Sequence, residues 1–146
     1  MSVDHGFIEE LLAPLKTNGG GILGLTQSMP DDAEFIMVNP NPDVEGVPGS
    51  GPKDKAGMKA SVQRLLDALT SQPEYEMKNV FVGKSANNTP SAVIEIRSHG
   101  KTKSGKVYDN THCWVCEFDT QGAKPKVKRV RVYLDSAHAL RVMSDK

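Results

Sequence analysis

Residues 107–119 read VYDNTHCWVCEFD, a run without glycine or proline that is dense in strand formers. A period of two places Tyr108, Asn110, His112, Trp114, Cys116 and Phe118 on one face. Asp109, Thr111, Cys113, Val115 and Glu117 fall on the other. The first face is the more aromatic, and it also carries an amide and an imidazole. The same period disposes of the CWVC motif at 113–116. Redox CxxC pairs open a helix, whose dipole lowers the first thiol's pKa. Strand residues three apart point to opposite faces, so Cys113 and Cys116 cannot readily bond each other. No second CxxC or CxxH completes a tetrahedral zinc site. The two cysteines therefore read as structural.

Working outward, the neighbouring segments also read as strands. EYEMKNVFVGKS (74–85) and AVIEIRS (92–98) precede it, joined by ANNTPS, and HGKTKSGK (99–106) forms the next turn. DTQGAKPK then turns the chain into VKRVRVYLD, and SAHALRVM (136–143) is a closing helix. Toward the N-terminus, Phe7, Ile8, Leu11, Leu12 and Leu15 share a helical face, with Pro14 breaking or kinking the helix near its end. ILGLTQSM reads as a second, weaker helix, and Glu34 to Asn39 as a short strand stopped by Pro40 and Pro42. NPNPDVEGVPGSGPKDK is a Pro/Gly loop. AGMKASVQRLLDALTSQ follows, with apolar residues at 58, 62, 65, 66 and 69, as an amphipathic helix. Helices first and an antiparallel meander afterwards predict an α+β fold, with the helices covering one face of the sheet. The 146 residues fit a single domain, 1–146.

Net charge is zero, so no global field argues for nucleic acid or membrane partners. The first fifty residues carry eight acids and one lysine, whereas lysines and arginines crowd the last third. That basic run lacks the interleaved aromatics of a nucleic-acid stacking platform and reads as solvated strand faces and turns. No basic segment followed by an apolar one opens the chain, and no stretch approaches 18 apolar residues. The expectation is a soluble, cytoplasmic protein. GGGILG and GSGPKDK match phosphate loops only superficially, since neither joins a strand to a helix with the required spacing.

Two sets of side chains are candidates for chemistry. Asn110 and His112 among large apolar neighbours fit a mostly dry cavity with a few placed polar groups, or equally an ordinary half-buried strand in which they bond neighbours. Glu95 and Arg97 share a face of their strand, between Val93, Ile94 and Ile96. If that face is solvated they are surface charges; if it meets the helices they are a buried acid and base that must pair or do work. Asp135 is placed to cap the closing helix, Tyr133 alternates away from Val132, and His5 and His138 read as surface residues.

Residues 92–143 resemble the C-terminal half of SnoaL-like proteins, of the nuclear transport factor 2-like superfamily. The match runs through Gly105-Lys106, Tyr108-Asp109-Asn110 and Arg131-Val132-Tyr133-Leu134-Asp135 before a closing helix. The turn GAKPKVK is longer than that pattern has, and the N-terminal half agrees in layout only. The resemblance implies a cone: a curved antiparallel sheet wrapped around N-terminal helices, a deep apolar pocket, no cofactor or metal, and homodimers through the outer sheet face. Its members include ketosteroid isomerase, scytalone dehydratase, limonene epoxide hydrolase, polyketide cyclases and fungal meroterpenoid isomerases, beside non-catalytic binders.

Carried across by position, the resemblance puts Glu95 and Arg97 where the epoxide hydrolases hold an Arg and an Asp, in swapped order. Their third polar position falls at Val132, and a water-holding Tyr and Asn at Met37 and Asn39. Asn110, His112 and Trp114 then look into the pocket. The implied site has Glu95, His112 and Arg97 as catalytic residues, with Asn39, Tyr108, Asn110, Trp114 and Val132 around the substrate. His112 would move a proton, Glu95 would orient it or act as base, and Arg97 with Asn110 would stabilise an enolate. This suits a cofactor-independent isomerase, cyclase or dehydratase acting on a hydrophobic polyketide- or terpenoid-like molecule. The alternatives are a non-catalytic small-molecule binder and a protein-interaction module of the same fold.

Overall fold

The computed structural model describes residues 2–16, 20–38 and 51–144. Three short helices come first, α1 (His5–Leu11), α2 (Ala13–Lys16) and α3 (Gly21–Ser28), and then the strands β1 (Glu34–Met37) and β2 (Gly51–Lys53). The helix α4 (Lys55–Asp67) leads into four long strands, β3 (Glu74–Lys84), β4 (Pro90–Lys101), β5 (Val107–Asp119) and β6 (Lys126–Tyr133), and α5 (Ser136–Met143) closes the chain. The helix expected over 7–16 is two, parted at Leu12, with Pro14 in the first turn of α2, where its missing N–H costs nothing. Gly51–Lys53, expected as loop, is an edge strand paired with Phe35 to Met37.

One six-stranded sheet runs in the order β2-β1-β6-β5-β4-β3. Every pair is antiparallel except β1 with β6, which is parallel. Register shifts at Met77/Asn79 and Glu117/Phe118 bend the sheet, since a bulge adds a residue to one strand and increases its local twist. Helix ends are closed by side chains: Asp4 accepts from the Phe7 N–H and Asp54 from the Gly57 N–H, each at 2.8 Å. Asp135 does the same for α5, accepting from the His138 N–H at 3.0 Å.

The concave face of the sheet packs on the helices. Phe35, Ile94, Ile96, Trp114, Cys116 and Val130 from the strands meet Ile8, Leu12, Leu25 and Met58 from the helices, all almost fully buried. A smaller cluster joins α4 to α5, where Leu65, Leu66 and Leu69 pack with Tyr108 and Val142. Cys116 belongs to the core, and burial pushes its thiol up to about 12. Cys113 sits on the opposite face and both cysteines are free, as strand alternation requires.

Candidate functional site

The even-numbered residues of β5 from Tyr108 to Phe118 face inward and are buried, while Val107, Asp109 and Thr111 are exposed. In β4 the inward set is Ala92, Ile94, Ile96 and Ser98. Glu95 and Arg97 therefore lie on the outer, convex face, which corrects the placement expected from the family pattern. A slip of one residue turns every side chain of a strand over, and here the apolar alternation determines which face is buried. Arg97 donates to both carboxylate oxygens of Asp109, at 2.9 and 2.8 Å, and to Glu76 at 3.2 Å. The Arg97 hydrogen bonds hold Asp109 below the usual carboxylate range. About a third to a half of each of these side chains is exposed, so the cluster is a solvated surface network. Glu95 meets Asn79 at 3.5 Å and nothing in the interior. Glu95→Gln and Arg97→Gln should thus leave ligand affinity at the inner cavity unchanged in calorimetric titration. A tenfold loss would return these groups to the site.

Inside the cone, between the sheet, α4 and α5, lies a cavity of about 70 Å³. That is well below the roughly 300–1,000 Å³ typical of drug-sized ligand pockets. The cone is narrow because large side chains occupy it: Trp114, Tyr75 and Tyr108 from the sheet, Met58, Leu65 and Leu66 from α4. Val132, Met37 and Leu134 complete the apolar wall, and Ala139 and Met143 of α5 close one end. Of the expected substrate-binding residues, Tyr108, Asn110, Trp114 and Val132 line this cavity together with His112. Asn39 lies outside the described residues.

The polar groups gather where β3, β4 and β5 run side by side. Tyr75 pairs with Ser98 across β3 and β4, and Ser98 with Asn110 across β4 and β5. His112 and Tyr108 flank Asn110 on the same face of β5. The imidazole is held at both nitrogens: Trp114 Nε1–H donates to Nδ1 at 3.1 Å, and Nε2 meets Ser98 Oγ at 2.8 Å. Burial pulls the His112 pKa down to about 4, so the ring is neutral at physiological pH. Asn110 is committed to the backbone of Asp135, donating Nδ2–H to its carbonyl and accepting its N–H at Oδ1, both at 3.2 Å. It clamps α5 to β5.

Two tyrosines complete the polar end. Tyr75 reaches the first turn of α3 and takes a backbone hydrogen bond from Ile22, one of the donors a helix start leaves without a partner in the helix. It can approach so closely because Gly21, at φ +62°, has no side chain; a Cβ there would stand 2.6 Å from the Tyr75 ring. Tyr108 stacks on His138, with ring centroids 5.7 Å apart and planes at 4°. His138 is thus a docking residue of α5 and not the surface residue its position suggests, and its Nε2 accepts the Asp109 N–H at 3.0 Å. Burial raises the pKa of both phenols, so both stay neutral. Among the described residues no carboxylate, ammonium or guanidinium lines the cavity. Among the described residues no group of three or more His, Cys, Asp and Glu could hold a metal ion, and no helix is long and apolar enough to cross a membrane.

Ser98 and Tyr75 did not emerge from the sequence as site residues, although a signal was present. Ser98 ends the inward alternation Ala92-Ile94-Ile96, and Tyr75 alternates with the charged Glu74 and Glu76.

No family model and no curated protein matches the sequence. Solved structures match the fold. An NTF2-like protein of unknown function from Burkholderia pseudomallei aligns at TM-score 0.65 and 10% identity, over 97% of this chain and 99% of its own. TerC, co-crystallised with polyporic acid, aligns at 0.64 and 14% over 94% and 98%. A protein assigned as a SnoaL-like polyketide cyclase from Jannaschia sp. CCS1 aligns at 0.63 and 14% over 94% and 92%. The chain has the nuclear transport factor 2-like, SnoaL-like fold: N-terminal helices against a curved, unclosed and mainly antiparallel sheet.

Proposed function

We propose that this chain binds a small, neutral, largely apolar molecule in the cavity beneath the curved sheet, holding one polar group of the ligand with uncharged side chains. The observation that carries this reading is the composition of the polar end. Ser98, Tyr75, Tyr108 and His112 reach it, and none of them is ionised at neutral pH, while every other wall is apolar or already bonded. A charged ligand would lose its hydration there with no counter-ion among the described residues to replace it. A neutral one gains from apolar burial and from one or two hydrogen bonds.

The isomerase, cyclase or dehydratase expected from the resemblance is less well supported. Its acid and its arginine face solvent. Its proton carrier has one ring nitrogen filled by an indole N–H and the other by a serine, in an environment that disfavours the imidazolium. Polyporic acid with TerC illustrates that a protein of this fold can meet an organic molecule of moderate size. With the cavity closed around about 70 Å³, a ligand of that kind would need α5 or α4 to move outward.

The test is a thermal-shift screen of small neutral ketones, phenols and terpenoids at millimolar concentration. A ligand present at about a hundred times its Kd should stabilise the fold by about 2.7 kcal/mol, and Trp114 fluorescence should report its arrival. Turnover of an enolisable ketone that is lost in His112→Ala would overturn the binding reading in favour of catalysis.

A further inference from the structure

The Trp114–His112–Ser98 chain has a direction, and the direction limits what the cavity can take. An indole N–H is a donor only. Its bond to His112 Nδ1 therefore requires a bare lone pair on that nitrogen. The imidazolium and the Nδ1–H tautomer would each set two donors against one another, so the neutral ring carries its hydrogen on Nε2. That hydrogen can only be given to Ser98 Oγ, 2.8 Å away. Ser98 is then an acceptor toward histidine, and its own hydroxyl hydrogen has no acceptor among the described residues. Tyr108, diagonal to it on the next strand, also borders the cavity. The Ser98 O–H thus faces an apolar space, which Tyr75 and Tyr108 also line. Across the rung, Asn110 Oδ1 receives the Asp135 N–H.

We propose that Trp114 is a positioning residue that sets the polarity of the cavity: by fixing the His112 tautomer it makes Ser98 a hydrogen-bond donor, so the site selects a ligand whose buried polar atom is a bare acceptor, a ketone-type carbonyl. This inference rests on the small-molecule-binding reading above. It adds that a carbonyl is held by the hydrogen that Ser98 donates, on the rung that pairs Tyr75, Ser98 and Asn110. Without the indole N–H, the imidazole is free to carry its hydrogen on Nδ1. Ser98 then spends its hydrogen on Nε2 and offers the ligand only lone pairs, which repel a carbonyl oxygen.

The experiment uses the intact chain, two probes of nearly equal shape and one spectroscopic readout. Cyclopentanone and methylenecyclopentane differ by an oxygen against a CH₂, and NMR titration gives the affinity of each for wild type, Ser98→Ala and Trp114→Phe. Taking the ketone-to-alkene affinity ratio cancels the different hydration of the probes. The ratio should fall by about fivefold to tenfold in Ser98→Ala, the worth of one buried hydrogen bond, and by a similar factor in Trp114→Phe. In wild type, ¹⁵N shifts of His112 should show a protonated Nε2 and a bare Nδ1, and in Trp114→Phe a mixture of tautomers. Should Trp114→Phe fail to fold, the wild-type tautomer and the Ser98→Ala ratio still decide. An unchanged ratio in Ser98→Ala, or a wild-type Nδ1–H tautomer, overturns the inference while leaving the cavity a binding site. Binding of neither probe overturns the binding reading and the inference together.

Discussion

Acidification should destabilise this protein by about 3 kcal/mol between pH 6.5 and pH 4, and His112→Phe should remove most of that loss. The imidazole titrates near its ordinary value of 6.5 in the unfolded chain and at about 4 in the folded one. Above pH 6.5 both states hold the neutral ring and the histidine adds no pH dependence. As pH falls below 6.5 the unfolded chain takes up a proton that the fold refuses, so stability decreases with a slope set by the difference in bound protons. Below pH 4 the folded ring is protonated as well and the penalty is complete. The size follows from about 1.36 kcal/mol for each unit of pKa difference, over two to three units. Urea titrations at pH 7, 5.5 and 4 measure it. The carboxylates held down by Lys55 and Arg97 lose their contribution at lower pH, as they protonate, so the pH 7 to 5.5 interval belongs mainly to His112. A flat profile over that interval would mean that the ring is hydrated in the folded state, and with it that the cavity is open to water.

How far this site was legible in the sequence is settled strand by strand. In β5 the period of two is carried by six inward residues and puts Tyr108, Asn110, His112 and Trp114 on one face, while the expectation that this face lines a pocket came from the resemblance. In β4 the same rule assigns Ala92, Ile94, Ile96 and Ser98 to the core and leaves Glu95 and Arg97 outside. The contrary expectation came from aligning charged residues with a family pattern whose own charges point inward. Such an alignment can slip by one residue, and one residue reverses the face. The fold was legible because it depends on element order and amphipathic faces, which survive that slip. The state of His112 was not. That state depends on burial and on the indole two residues along the same face, whose orientation only the packed core decides. Nor was the size of the cavity, since Tyr108 and Trp114, read as pocket lining, also fill the cone together with Tyr75, Met58, Leu65 and Leu66.

Asn110→Ala should release α5, costing about 2–3 kcal/mol overall and roughly 5–10 °C in melting temperature. The Asn110 amide bonds both backbone groups of Asp135, the carbonyl through Nδ2 and the N–H through Oδ1, and the carbonyl also accepts the Ala139 N–H at 3.0 Å. Asp135 is also the N-cap of α5, so the clamp fixes where that helix begins. Two bonds worth about 0.5–1.5 kcal/mol each are lost, and the Asp135 N–H is left without its partner, while the carbonyl keeps the Ala139 N–H. What remains to hold α5 is modest: Ala139 and Val142 against α4 and Tyr108, and the His138 stack with its bond from the Asp109 N–H. A helix of eight residues has little stability of its own. Its opening should therefore become a local event, seen as loss of hydrogen-exchange protection in α5 while the amides of β4 and β5 keep theirs. Because Ala139 and Met143 close one end of the cavity, the same variant should bind bulkier neutral ligands faster than wild type does. Uniform loss of protection across the sheet would instead make α5 part of the cooperative core, and the small cavity a fixed property of the fold.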